Sequence, residues 1–428
     1  MKHTTRQVVL KNGLKGLVIH TPGTSVVSIE VSFRAGEFLL ERSKWETAHL
    51  MEHLMLGANS YFKTARAFQS ELEKNGAYSN ASTSVYDITY ELECASFEAD
   101  RVIELLVRGL EQPVFKKSEF KAEFGNVSEE LVGRSNNHFR ALNLGLRQSL
   151  GLFGLTDQER IDLIHNVTAQ DVKDHYTNTH SVANARFIIA GDVQQSQLDI
   201  LESLKLPGTT ERIALPDETP QQSDVALVVT RADVPNYYFY IDAYAGRSLT
   251  PTEQDALSVA STLLTDTLHS KLLGTAREQG LVYAMGSGQQ HLKNDSSFWL
   301  GAQVSKKNAL KLFALITKVL QDFITSGVTE AELEAAKQYM RGKHERSAQT
   351  VSGTLARYAA EFYHDDSIED ESKYNDRLTA VTNDRLISAM QVIFSEGVWA
   401  LGLLGSLTKK QSNTLYDQLK PLFATSTR

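Results

Sequence analysis

One cysteine in 428 residues leaves no partner for an internal disulfide, so a disulfide framework is excluded. Cys94 lies in the apolar, strand-like stretch 87–95 and reads as a buried core thiol. No run approaches eighteen apolar residues, which excludes a membrane-spanning helix of ordinary length. A cationic surplus is missing too. The net charge of −8 and pI near 5.9 argue against nucleic acid or an anionic membrane as partner. Residues 1–7 lack both the apolar run of a secretory leader and the extended Arg- and Ser-rich pattern of a transit peptide, so a cytoplasmic protein is expected. Proline is scarce as well, eight in all, and three of them (Pro207, Pro216 and Pro220) fall in the polar stretch 206–223. That stretch is the best linker in the chain. With 42% hydrophobic and 22% charged residues, the rest has the balance of a globular protein long enough for two or more domains.

What the chain does carry is His49-Leu50-Met51-Glu52-His53. On a helix, residues four apart lie one above the other, so His49 and His53 can turn two imidazoles toward one metal ion. Glu52 falls beside that face, where its carboxylate can take a proton from a water at the metal. The flanking Trp45, Ala48, Leu50, Met51, Leu54, Met55 and Leu56 make the segment apolar, with Gly57 as its stop. Two histidines and a glutamate in such a stretch are costly unless paired or bound to metal. The order H-x-x-E-H reverses the H-E-x-x-H zinc-protease signature and marks the inverted zincins. A catalytic zinc needs three protein ligands and an open position, so a carboxylate is expected from elsewhere in the chain. Residues 116–132 read as an acidic helix, and Glu123 and Glu130, seven apart, share one side of it. Glu119 and Glu129 read as solvated or ion-paired helix residues.

Here the chain resembles the pitrilysin/insulinase family of zinc peptidases, in its half-size branch of processing-peptidase beta-type subunits and bacterial homologues. In that family the ligating Glu follows the second His after about 76 residues, with a helper Glu seven residues earlier. Seventy-six residues (54 to 129) separate His53 from Glu130, and Glu123 takes the helper position. The resemblance thus implies Zn²⁺ held by His49, His53 and Glu130, Glu52 as general base and Glu123 in support. Residues 75–84, Asn-Gly-Ala-Tyr-Ser-Asn-Ala-Ser-Thr-Ser, look like the family's sheet-edge segment G-x-x-N-A-x-T. On it Asn80 and Ala81 would line an edge that takes a peptide as an added strand. Residues 273–283 are similar to the family's L-R-E-x-x-G-L-A-Y signature. They imply Arg277 gripping a peptide carbonyl or carboxylate and Tyr283 donating its hydroxyl to the developing oxyanion; a helix-end salt bridge and a buried ring are the bland alternative. The chain departs from the pattern in three places: the loop 134–139 after the Glu130 helix has no proline, Gly57-Ala58 stands for a Gly-Thr, and Glu46-Thr47 replaces a glycine ahead of the motif.

The chain opens on a hairpin pattern, 8–10 and 16–20 around Asn12-Gly13, followed by a strand at 26–33 and then Ala35-Gly36. Helices are expected near 64–74, 97–111, 116–133 and 168–176, and a strand at 186–190. After the linker the grammar restarts, with strands at 225–230 and 237–244, Ala245-Gly246 and a helical stretch at 252–264. A shift of 210 residues lays Ala245-Gly246 on Ala35-Gly36 and puts Val259, Thr262 and Leu263 at the places of His49, Glu52 and His53. The expected fold is α+β: two related domains, 1–215 and 216–428, each with helices on a mostly antiparallel sheet. The first would be the zinc-binding catalytic domain; the second would lack the metal and carry Arg277 and Tyr283. The expected function is a zinc-dependent metalloendopeptidase acting on peptides or unfolded segments. The alternatives are a non-catalytic subunit of a family heterodimer and a protein holding zinc for structure; the latter usually needs four Cys or His ligands, which are lacking. Since one chain carries both the metal motif and the Arg277/Tyr283 segment, a homodimer is expected, with a heterodimer as the other pairing.

Overall fold

Residues 26–33, Val-Val-Ser-Ile-Glu-Val-Ser-Phe, alternate apolar and polar side chains, and they form a strand with Val27, Ile29, Val31 and Phe33 turned into the core. The computed structural model describes residues 2–395 and 397–423. Its first compact unit comprises Met1–Gly133, Gln158–Pro216 and Glu345–Glu369. The strands of this unit are β1 (Thr4–Val9), β2 (Lys15–His20), β3 (Val26–Phe33), β4 (Tyr78–Thr83), β5 (Ile88–Ala95) and β6 (Ala185–Gly191). They form one sheet in the order β1-β2-β6-β3-β5-β4, antiparallel except between β2 and β6. Gly13, at φ +92°, supplies the left-handed turn between β1 and β2. At the far side β4 pairs only with β5, so its outer edge has no strand partner among the described residues.

One face of the sheet is covered by helices that include α1 (Thr47–Met55) and α2 (Lys117–Ser135). They bury Ala48, Leu50, Met51, Leu54, Met55, Val127 and Leu131 with Phe33 and Tyr90. The Leu, Met, Val and Phe side chains among them each contribute roughly 1.5–3 kcal/mol when fully buried.

Three further helices matter below: α3 (His138–Ser149), α4 (Asp157–Leu163) and α5 (Val351–Asp365). Although α5 lies far down the chain, it belongs to the first unit. It covers the sheet's other face, where Val351, Leu355, Tyr358 and Phe362 pack on Leu17, Ile19, Ile188 and Ala190. Half-buried cations hold its end: Arg212 Nη2 donates to the Tyr363 carbonyl at 2.8 Å, and Arg34 donates to that of His364. Cations at a helix C-terminus meet both its open carbonyls and its negative dipole end. Asp366, in the left-handed region at φ 62°, is fixed there by Arg186, whose Nη2 donates to Oδ2 at 2.8 Å.

The second unit comprises Arg134–Asp157, Asp217–His344 and Asp370–Arg428. Its strands are β7 (Leu227–Thr230), β8 (Asn236–Tyr244), β9 (Met285–His291), β10 (Ser296–Ser305) and β11 (Trp399–Gly405). The order β7-β11-β8-β10-β9, with only β7 and β11 parallel, repeats β2-β6-β3-β5-β4 strand for strand. From Val26 to Asn236 the repeat is 210 residues, the shift read from Ala35-Gly36 (236 − 26 = 210). On this sheet α3 takes the place that α5 has on the first, and it fits closely because Gly402 of β11 lies under Leu146. The units are therefore two related α+β bodies, yet not the contiguous halves 1–215 and 216–428, since each holds a helix from the other side of the linker. Hydrophobic periodicity shows that a helix is amphipathic, not which sheet receives it.

No single helix among the described residues is long and apolar enough to cross a membrane. The helix Ala309–Ser326, in the second unit, buries Leu312, Phe313, Ile316, Leu320 and Phe323 in that unit's core.

Under α5, Glu30 of β3 faces Glu91 of β5 directly and accepts a hydrogen bond from Tyr363 Oη at 3.0 Å. Burial pushes Glu30 up to about 7, against the Tyr363 bond and with the Glu91 charge. A carboxyl raised in the fold stays protonated there over a range in which the unfolded chain has already ionised, so stability falls as pH rises from about 4.5 to about 7. Glu30→Gln keeps an acceptor for Tyr363 without the charge. Urea unfolding should show it stabilised over the parent at pH 8, by roughly 1–3 kcal/mol, with the gain shrinking toward pH 5. An equal difference at both pH values would contradict this account.

Candidate metal centre

The segment Thr47–Met55 is rich in Ala, Leu and Met, good helix formers, and it makes two and a half turns before Leu56 and Gly57 end it. His49 and His53 stand on one face with ring centroids 5.0 Å apart, inclined at 76°. His49 is buried and His53 partly so. Ligand atoms of His49, Glu52 and His53 lie within 4.8 Å of one another, the one cluster of metal-ligand type among the described residues.

Helix α2 brings the carboxylates. Glu130 Oε2 lies 3.3 Å from Nε2 of His49 and 3.3 Å from Nε2 of His53. Bonds of ~2.0–2.1 Å about a tetrahedral zinc place ligand atoms ~3.3–3.4 Å apart, so these separations are edges of such a tetrahedron. His49 Nε2 is buried without a hydrogen bond; its approach to Glu130 is a charge contact, not a bond of good geometry. A buried ring nitrogen with no hydrogen bond, facing a carboxylate, is suited to donate to a cation. Two imidazoles and one carboxylate form the ligand set of a catalytic zinc with one position open. The residues fit the metal.

Each imidazole is gripped from behind. His53 Nδ1 lies 3.0 Å from Glu123 Oε2, which also accepts from Asn126 Nδ2 at 3.1 Å. The His53 bond holds the Glu123 carboxyl below its ordinary range. His49 Nδ1 lies 3.0 Å from Oε2 of Glu46. Burial works against a charge on His49, but the Glu130 contact, the Glu46 bond and the nearby carboxylates outweigh it and raise the imidazole to about 9. A pocket that holds a proton this firmly has the negative potential that suits a divalent cation.

Glu52 is tethered elsewhere. Thr83 Oγ1, on the last residue of β4, donates to Glu52 Oε2 at 2.6 Å. Glu130 touches both Nε2 atoms, whereas Glu52 is tied to the edge strand beside them. That division suits Glu130 as ligand and Glu52 as base. Asn80 and Ala81 lie on β4, opposite Glu91 and Tyr90 of β5. Ala81 packs toward the core of the unit and Asn80 is exposed on the other face.

Arg277 and Tyr283 are in the second unit. Tyr283 is 85% exposed, so the buried-ring alternative does not hold. Arg277 donates to the Tyr283 carbonyl and sets its guanidinium 5.0 Å from the ring centroid. At the places matched to the metal motif, Val259, Thr262 and Leu263 are buried and offer no ligand. Sequence reasoning missed Glu46, Arg160 and the grip of Thr83 on Glu52. Glu46 was within reach, being three residues before His49 on the same helix face; the long-range partners left no local signal.

Two matches to known families bear on this geometry. Residues 16–149 match the family described as "Insulinase (Peptidase family M16)", and residues 166–340 the one described as "Peptidase M16 inactive domain". The chain is 26% identical over 377 residues to "Zinc protease PqqE" of Helicobacter pylori, a match covering 82% of each protein. It is 22% identical over 338 residues to "Non-peptidase homolog YmxG" of the same organism, covering 76% of this chain and 77% of that one. The solved structure of "a protease from Helicobacter pylori" superposes with a TM-score of 0.82 at 22% identity, over 94% of this chain and 100% of that one. At that identity the superposition speaks for the fold.

His53→Ala and Glu130→Ala should each lose stoichiometric zinc on dialysis against a buffer that leaves the parent loaded. Thr83→Val, which removes a tether but no ligand, should keep it. Metal analysis of the three variants checks the division of roles, and tight zinc in either ligand variant would contradict it.

Proposed function

The chain belongs to the insulinase family of peptidases, and from that premise we propose that it is a zinc-dependent metalloendopeptidase. The observation that carries this reading is the pair of 3.3 Å contacts from one Glu130 oxygen to both imidazoles, beside an orphaned His49 Nε2. His49, His53 and Glu130 would hold Zn²⁺, with Glu123 supporting His53 from behind. When bound, zinc supplies a Lewis acid that polarises a carbonyl and lowers the pKa of a water toward neutrality.

This chain's own residues do the rest. One oxygen of Glu52 is occupied by Thr83, which leaves the other to take the proton of the attacking water. Glu52 keeps that proton on its carboxylate and passes it to the leaving amine when the peptide bond breaks. The open edge of β4 offers backbone N–H and C=O groups to an extended peptide, and Asn80 and Ala81 lie along it. A substrate bound there as a strand would end beside Thr83, and so beside the base. Arg277 and Tyr283 keep their expected parts, the first gripping a peptide carbonyl or carboxylate and the second donating its hydroxyl to the oxyanion.

A non-catalytic relative is among the similar proteins, so the rival is a partner subunit without turnover. The retention of His49, Glu52, His53 and Glu130 together favours the enzyme, since a structural subunit has no use for a base beside the ligands. The reading extends to a cytoplasmic homodimer that admits peptides and unfolded segments, with a heterodimer as the other pairing. Light scattering at micromolar concentration should give twice the chain mass of 47.6 kDa. A monomer that still cleaves peptides would refute the dimer.

Glu52→Gln keeps every ligand and removes the base. It should bind zinc like the parent while turnover falls by at least ~100-fold. Near-normal cleavage by this variant would overturn the mechanism; an inactive parent that nonetheless binds zinc would favour the subunit.

A further inference from the structure

A buried row of charges stands behind His49. Glu46, at the N-terminal boundary of α1, is fully buried in its side chain and turns it to His49 instead of capping its own helix. A lone carboxylate there would be prohibitive, and Arg160 of α4 answers it. The guanidinium donates through Nε to Glu46 Oε1 and through Nη2 to Oε2 at 3.2 Å, a two-point grip. Arg160 Nη2 also lies 2.7 Å from Glu37 Oε1. All three side chains are more than nine-tenths buried.

We propose that Glu46 and Arg160 are a positioning pair that fixes His49 as an Nε2 metal donor, an inference that rests on the zinc-site reading above. A carboxylate at Nδ1 holds the proton on that nitrogen, so Nε2, which faces Glu130, is the nitrogen that would give up its proton to a metal. The two-point grip of Arg160 sets the plane of the Glu46 carboxylate and thereby the plane of the ring. His53 is supported differently, by a partly exposed Glu123 with Asn126 behind it. The two ligands therefore differ in rigidity, His49 being locked by a dry network and His53 held at the solvent side.

The pair is also a departure from the family pattern, which has a glycine ahead of the motif where this chain reads Glu46-Thr47. A glycine has no carboxylate to offer. Arg160 is the matching half, holding Glu46 at two points and Glu37 at a third.

Glu46→Ala leaves Arg160 paired with Glu37, so the buried charge stays balanced and the fold should survive. Competition against a chromophoric chelator should show it binding zinc ~10–100-fold more weakly than the parent. Long-range proton–nitrogen spectra of the zinc-loaded proteins should show the His49 Nδ1–H, shifted downfield by its carboxylate partner in the parent, moving upfield in Glu46→Ala, which a purely structural role would not move. Arg160→Lys keeps the charge without the two-point grip and should fall between parent and Glu46→Ala in zinc affinity. A parent that binds zinc together with a folded Glu46→Ala that binds it equally well overturns this inference alone. Should Glu46→Ala fail to unfold cooperatively, Arg160→Lys decides, and parental affinity in that variant overturns the inference. A parent chain that takes up no zinc overturns the proposed function and this inference with it.

Discussion

Charge repulsion is the constraint on which the metal centre is built. Glu46, Glu52, Glu123 and Glu130 surround two imidazoles in a partly desolvated place, and carboxylates so gathered repel unless cations or protons intervene. The fold meets this in three ways. Arg160 neutralises the most buried carboxylate, Thr83 and Asn126 donate hydrogen bonds to two others, and the space between Glu130 and both Nε2 atoms has the dimensions of a zinc tetrahedron. Dry packing of α1 and α2 on the sheet holds the groups together against their repulsion. The core of the first unit thus stores the arrangement that the metal would relieve.

The same treatment of buried charge attaches α5 to the first unit. Arg34 and Arg212 end on the carbonyls of its last turn, and Arg186 fixes Asp366 just beyond it. The cations are thereby spent on backbone and carboxylate partners in a place with little water. The counterpart exchange of α3 into the second unit combines close apolar contact at Gly402 with a buried ion pair, Arg147 Nη2 to Glu218 Oε1 at 3.1 Å. Both related sheets therefore receive their covering helices through apolar contact together with buried charge. Only the first unit kept ionisable groups at the metal positions; at the matched places the second has Val259, Thr262 and Leu263 inside its core.

Much of this was legible in the residues. The i, i+4 histidines, the seven-residue spacing of Glu123 and Glu130 and the alternation of 26–33 each declare a local geometry, and the structure has a helix, a helix and a strand there. The shift of 210 residues was visible in Ala35-Gly36 and Ala245-Gly246 and recurs in β3 and β8. Three things were not legible. The exchange of α3 and α5 depends on which sheet face lies bare, a property of the assembled unit. The Glu46–Arg160 pair joins residues 114 positions apart, and no local pattern marks it. Thr83 could be placed on an edge strand, but its bond to Glu52 requires knowing how α1 crosses that edge.

The central claim is that these side chains form a zinc-activated peptide hydrolase rather than a silent relic of one. The most direct measurement follows cleavage of a mixed pool of unstructured peptides by the purified chain, before and after treatment with a zinc chelator, and again after zinc is restored. The account predicts internal cleavage of the peptides, its loss with the chelator and its return with stoichiometric zinc. Cleavage indifferent to the chelator, or none from a chain shown to be zinc-loaded and folded, would contradict it.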